Sequence, residues 1–277
     1  MPGRCQFHHH CYRKRLLMEQ AAWEIVSGKG PLIAAAIHDG HTVRPNKKPL
    51  LALSDAARLT EQDPCTAFWT TIASTRVIGK RSRFEFDLNR PREKAVYLHP
   101  ADSWGLKVWH TELPSELVDE SLRMYDAFYA EVEELLKTLI VQHGRILIYD
   151  LHTYNHRRKG PYAEYDDAEL NPEVNVGTGT MDRQRWANVV DRFLMDLREH
   201  DYLGRKLDVR ENVKFFGGHF AKSLHQRFPE QVCVLSIEFK KFFMNEWTGE
   251  VDEVQSTAIK SALAATTAGV LSELKRL

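Results

Sequence analysis

A three-layer α/β/α fold around one central mixed sheet is the architecture this sequence predicts. Three observations predict it. Runs at 31–37, 146–151 and 232–237 are almost wholly apolar and short, as strands buried on both faces are. Amphipathic helical stretches separate them. No repeat and no long linker divides the 277 residues, so 31–277 reads as a single domain, with residues 1–30 as an N-terminal segment and helix packed on it.

Taken in order, residues 12–27 read as an amphipathic helix with Leu16, Leu17, Trp23 and Ile25 as its stripe, stopped by Gly28 and Gly30. The apolar run 31–37 is a strand that ends in His38-Asp39-Gly40-His41. From 47 the chain is polar and irregular before a short helical pattern, and Asp63-Pro64 opens a further helix with Phe68, Trp69 and Ile72 on one side. Phe84, Phe86 and Leu88 alternate as in a strand. The longest helix covers 115–143: Pro114 and Ser115 start it, Gly144 ends it, and Leu122, Tyr125, Tyr129, Val132, Leu136 and Leu139 form its buried face. The strand at 146–151 then delivers His152 to its carboxyl edge.

Residues 160–172 form a polar, acidic loop, followed by a strand at 173–177. Thr180 is placed to cap a helix whose apolar side is Trp186, Val189, Val190, Phe193 and Leu197. Segments 213–218 and 232–237 are two more strand candidates, and a helix over about 251–274 closes the chain.

Composition bounds the function. Lys plus Arg equals Asp plus Glu at 38 each, so no global field recruits nucleic acid or acidic lipid. The four cysteines are scattered without a CxxC pair, which argues against a disulfide framework or a thiolate zinc site. No run approaches the roughly 18 apolar residues of a membrane helix. The start of the chain lacks a signal-peptide core, so a cytoplasmic location is expected. Histidines 8–10, between Cys5 and Cys11, read as a frayed or tag-like terminus rather than a metal site.

There is no HExxH, GxSxG, Walker or GxGxxG pattern. What remains is a set of polar residues at strand ends. Ligands of open α/β sheets bind beyond the carboxyl ends of the strands, and His38 and His152 both fall there. A hydrolytic zinc site takes three protein ligands and keeps one position open. Two imidazoles are available at these ends, and the third ligand should be a carboxylate.

In chain order the set runs His38-Asp39-Gly40, Asp63, Ser82-Arg83-x-x-x-Asp87-Leu88-Asn89-Arg90, Asp150-Leu151-His152, Gly217-Gly218 and Ile237-Glu238. This series resembles the N-formylglutamate amidohydrolase family, a branch of the zinc-carboxypeptidase (phosphorylase/hydrolase-like) fold, over roughly residues 30–245. The Ser-Arg to Asp-Leu-Asn-Arg block is its most specific part. The resemblance implies one zinc ion on His38, Asp63 and His152, with Asp39 as the fallback for Asp63, since an Asp before Pro64 is also a good helix cap.

Glu238 is then the general base, taking a proton from water and passing it to the leaving amine; its bland alternative is an ion pair with Lys240 or Lys241. Arg90 or Arg83 would grip a substrate carboxylate through the planar guanidinium, with Asn89 as a neutral donor, unless Arg90 merely pairs with Asp87. His41 and Arg44 are candidates for the pocket lining. The segment after His152 and the acidic loop at 159–172 depart from the family pattern, and such loops usually set substrate choice. The expected substrate is a small N-acyl amino acid. The alternatives are a short-peptide carboxypeptidase and a non-catalytic carboxylate-binding protein.

Overall fold

The structure, a computed structural model, describes residues 21–277. Its seven strands form one mixed sheet in the order β1-β3-β2-β4-β7-β5-β6. They are β1 (Trp23–Val26), β2 (Leu32–Ala36), β3 (Thr75–Gly79), β4 (Ile146–Tyr154), β5 (Val174–Gly177), β6 (Val209–Glu211) and β7 (Val232–Lys240). β3, β2, β4 and β7 run parallel to one another; β1 joins β3 antiparallel, and β5 joins β7 antiparallel. The main helices are α1 (Asp55–Thr60), α2 (Thr66–Trp69), α3 (Ser115–His143), α4 (Ala187–Glu199), α5 (His219–Arg227) and α6 (Glu253–Arg276). None of the described helices is long and apolar enough to cross a membrane.

Strand alternation sorts the core into two layers. Leu147, Tyr149 and Leu151 of β4 and Cys233, Leu235 and Ile237 of β7 face α4, α6 and Trp69. Ile146 and Ile148 with Val232 and Val234 face α3 and α5 on the other side. This is the three-layer arrangement expected, and the long helix and β4 start where the sequence places them.

Four local expectations are corrected. Residues 12–20 of the first helix lie outside the described residues, but Trp23–Val26 is a strand, not helix. Trp23 and Ile25, two apart, share a strand face as easily as a helical stripe, and Trp23 packs edge-on against Phe128 at 5.6 Å. Phe84, Phe86 and Leu88 alternate in an irregular segment, because Glu85 and Asp87 between them are also fully buried, each on arginine. Thr180 caps no helix: α4 begins at Ala187, and the Thr180 hydroxyl meets His225 Nδ1 at 3.0 Å.

Residues 213–217 are no strand either. Asn175 stands in for the missing ladder. Its Oδ1 accepts from the backbone N–H of Val213 (3.0 Å) and Lys214 (2.8 Å), and its Nδ2 donates to Phe215 O (2.8 Å).

Candidate active site

β4 is the strand from which the parallel sheet extends both ways, with β2 on one side and β7 on the other. At their carboxyl ends lies a cleft of about 420 Å³ lined by His38, Asp63, His152 and Glu238. In the β4–β7 register His152 is opposite Glu238, and in the β7–β5 register Glu238 is opposite Asn175, so one polar row crosses three strands. β4 continues to Tyr154, so His152 sits within the strand rather than past its end.

His38 leaves β2 through a turn closed by Gly40. A Cβ there would lie 2.3 Å from the Lys80 carbonyl carbon, which explains the glycine two residues after the histidine. Asp63 is tied to the same turn by its backbone N–H, which donates to His38 O at 3.2 Å. Its side chain does not cap α2. Asp39 does that work instead, accepting from Ala67 N–H at 2.9 Å, and it is Asp63, not Asp39, whose carboxylate converges with the two histidines.

His38, Asp63 and His152 are all buried and bring one donor atom each within 4.8 Å of one another. Asp63 Oδ2 lies 2.9 Å from His152 Nδ1 and 3.4 Å from His38 Nδ1. Behind each ring stands a second carboxylate: Asp87 Oδ1 at 2.7 Å from His38 Nε2, and Asp150 Oδ1 at 3.0 Å from His152 Nε2. The His38–Asp87 contact is a hydrogen bond, of the kind that fixes ring orientation and tautomer, while His152 Nε2 and Asp150 Oδ1 lie at ion-pair distance without hydrogen-bond geometry. His38 Nδ1 is buried without a hydrogen-bond partner. Two imidazoles, one of them with its orphaned Nδ1 aimed into the group, and one carboxylate form a donor set that fits zinc.

Electrostatics separate the acids. Burial alone would raise Asp63, but the hydrogen bond from His152 and the adjoining His38 imidazole hold it well below the usual carboxylate range. For His152 burial opposes charging, yet Asp150, Glu238 and Asp63 together carry its pKa well above the ordinary value. Burial pushes the Glu238 carboxyl up to about 7, against the pull of His152. Neither neighbouring lysine pairs with it: Lys240 Nζ donates to Asn171 O at 2.9 Å, and Lys241 Nζ to Thr60 O (2.7 Å) and Gln62 O (2.8 Å).

The arginines divide differently from the sequence expectation. Arg83, not Arg90, holds Asp87, through Nε (3.1 Å) and Nη2 (2.7 Å). Asp87 also takes the Tyr97 hydroxyl and the Asn89 N–H, so Arg83 acts on His38 through a saturated carboxylate. Arg90 lines the cleft and has no carboxylate partner among the described residues. Asn89 lines it too, with Oδ1 accepting from Phe220 N–H (2.9 Å) at the start of α5, which leaves Nδ2 as the free donor. Gly218 packs on that amide so closely that a Cβ would come within 2.2 Å of it.

His41 and Arg44 do not line the cleft. His41 Nδ1 meets Gln62 Oε1 at 2.5 Å, and Arg44 is buried on Glu85 and Glu120. Sequence reasoning missed roles for Asp150 and Asp87, although i, i+2 spacing already placed Asp150 on the strand face of His152. It also missed Trp104, Arg158, Lys214 and Lys241 in the wall. These come from loops and turns that carry no motif.

Residues 30–244 match the model of the N-formylglutamate amidohydrolase family. A search of curated proteins by sequence found no match. Among solved structures, the chain is similar to N-formylglutamate amidohydrolase from Ralstonia eutropha JMP134 at 16% identity and TM-score 0.70, covering 92% of this chain and 99% of that one. It is also similar to a gene product of Agrobacterium tumefaciens at 17% identity and TM-score 0.67, covering 94% and 98%. At these identities the likeness is one of fold.

Proposed function

The chain belongs to the N-formylglutamate amidohydrolase family, and from that premise we propose that it is a zinc-dependent hydrolase cleaving the amide of an N-acyl amino acid, of which N-formylglutamate is the family's namesake. The observation that carries the reading is the buried His38, Asp63 and His152 group lying beside Glu238 on the neighbouring strand. His38, Asp63 and His152 would hold the ion. Zinc bound there supplies a Lewis acid for the amide carbonyl and makes its water acidic near neutral pH.

The chain's own residues supply the rest. Glu238, raised to about 7 by burial, is poised to take a proton at neutral pH and return it to the leaving nitrogen. Arg90 offers the unpaired fork for the substrate α-carboxylate, and the Asn89 Nδ2 hydrogens add a neutral donor. Arg83 is a positioning residue, holding Asp87 against His38.

The test uses full-length protein with His8, His9 and His10 changed to alanine, so that adventitious binding is removed. Close to one zinc per chain is expected, with formate release from N-formyl amino acids that is lost on chelation and restored by zinc. Protein that binds simple carboxylates but neither holds metal nor hydrolyses any N-formyl amino acid would establish the binding-protein alternative.

A further inference from the structure

Leu88, Asn89 and Arg90, the segment that brings the carboxylate anchor to the cleft, lie in neither helix nor strand. Their carbonyls have no ladder to join, and backbone oxygens taken from water without a partner are costly. Two tyrosines of α3 meet that need. Tyr129 Oη donates to Leu88 O at 2.7 Å, and Tyr125 Oη donates to Arg90 O at 2.8 Å. The donors are four apart on one helical face and the acceptors two apart on one turn, so the pair brackets Asn89.

The phenols are themselves held. Their ring centroids lie 4.7 Å apart, and Phe128 packs edge-on against Tyr129 at 5.5 Å. Burial pushes the Tyr125 hydroxyl up to about 12 and raises that of Tyr129 well above its ordinary value, so both remain donors through the neutral range.

Further ties converge on the same turn. Asn89 N–H donates to Asp87 Oδ1 (2.7 Å), Arg90 N–H to Asp87 O (3.3 Å), and Asn89 Oδ1 accepts from Phe220 N–H (2.9 Å). With its backbone fixed from behind, the Arg90 guanidinium lies in the cleft 5.8 Å from the Trp104 ring, which is 48% exposed. An arginine loses much rotamer freedom when it grips a ligand, so its use as an anchor depends on a fixed root. Asp87, from which this turn hangs, also holds His38, so the root sets the span between the anchor and the metal-ligand group. A substrate engaged at both ends needs that span to be right.

We propose that Tyr125 and Tyr129 are positioning residues for substrate recognition: by holding the Leu88 and Arg90 carbonyls, they set where the Arg90 guanidinium and the Asn89 amide meet the substrate α-carboxylate. The inference rests on the hydrolase reading above and its carboxylate anchor, and deepens it. A pair that merely tied α3 to the domain would affect every substrate alike.

The experiment measures kcat and KM for N-formylglutamate and its α-carboxamide on the zinc-loaded full chain, with Tyr125→Phe, Tyr129→Phe, the double variant, and Arg90→Ala as the reference. Each Phe keeps the ring and removes one hydroxyl, so kcat/KM for the acid should fall by about 3- to 10-fold per hydroxyl, and that for the carboxamide by less than about twofold. The loss should appear in KM, as expected when binding rather than chemistry is weakened. Zinc content should stay at the wild-type level, because Asp87 and His38 keep their contacts. Calorimetry of N-formylglutamate on Glu238→Gln protein carrying the same changes should show affinity falling by the same factor. Equal losses on acid and carboxamide in the double variant, or no loss on either, while Arg90→Ala remains selective for the acid, overturns the inference and leaves the anchor and the hydrolase reading standing. Arg90→Ala that penalises acid and carboxamide equally overturns the anchor and the inference together. Wild type that turns over neither compound overturns the inference along with the hydrolase reading.

Discussion

At the inner corner of the cleft His38, Asp63 and His152 are buried and each imidazole has a second carboxylate behind it, whereas at the rim Arg90 lacks an acidic partner among the described residues and Trp104 stands half exposed. The inner side chains come from β4, β7 and the turns next to β2, the rim from loops. Rigid elements fix the chemistry to the tolerance it needs, while the loops keep donors free for whatever docks. The two regions should therefore fail differently when mutated.

The sharpest break of that contrast is at Asp63. Its carboxylate sits between both imidazoles, so Asp63→Ala removes the proposed third ligand and leaves two buried histidines facing each other. Metal affinity should fall by more than about 100-fold, beyond the 10–100-fold typical of outer partners such as Asp150, and turnover should drop to background. Retained stoichiometric zinc, measured by atomic emission after dialysis, would remove Asp63 from the ligand set. Glu238→Gln is the next largest: zinc stays, and kcat falls by at least about 10²-fold. Loss of zinc in that variant would make Glu238 a ligand.

At the rim the effect should depend on the substrate. Arg90→Ala should cost an N-formyl amino acid roughly 10- to 100-fold in kcat/KM, the worth of a charged hydrogen-bonded contact, and its carboxamide far less. Arg83→Ala should hurt acid and amide alike, because it works through Asp87 on His38. If Arg90→Ala also penalises both equally, it supports the fold and anchors nothing.

How far the sequence reaches follows the same division. The wholly apolar runs of β2, β4 and β7 could be located because strands buried on both faces leave a pattern that little else imitates. Their carboxyl ends then placed His38, His152 and Glu238 without a structure. Edge strand β1 was hidden because Trp23 and Ile25 fit either period, and β6, at three residues, is too short to show one. Residues 213–217 looked like a strand because Phe215 and Phe216 wall the cleft, while their backbone is held mainly by the Asn175 side chain, with Phe216 O accepting from Gly179 N–H, and forms no ladder. Arg83 and Arg90, seven apart in one irregular segment, could not be told apart from spacing; only the fold shows which one Asp87 takes.

The smallest expected effect concerns how the inner region stays standing in acid. His225 of α5 is buried against β7, where its Nε2 accepts the Val234 N–H at 2.9 Å and its Nδ1 meets Thr180. An imidazole that accepts a backbone N–H must be neutral, and burial pushes His225 down to about 4, against a rise from Thr180 and Asp150. The unfolded chain takes up this proton near pH 6.5 and the folded one only near 4. Between those values the unfolded state holds more protons, so stability from this group is complete above about pH 6.5 and is lost as pH falls toward 4. The shift corresponds to at most about 3 kcal/mol. His225→Gln cannot titrate, so its urea-unfolding free energy, already lower at pH 7.5 by about 1 kcal/mol for a weakened hydrogen bond, should decline less than wild type between pH 6.5 and 4.5. Parallel declines in the two proteins would show that other groups set the acid limb and that His225 titrates alike in both states.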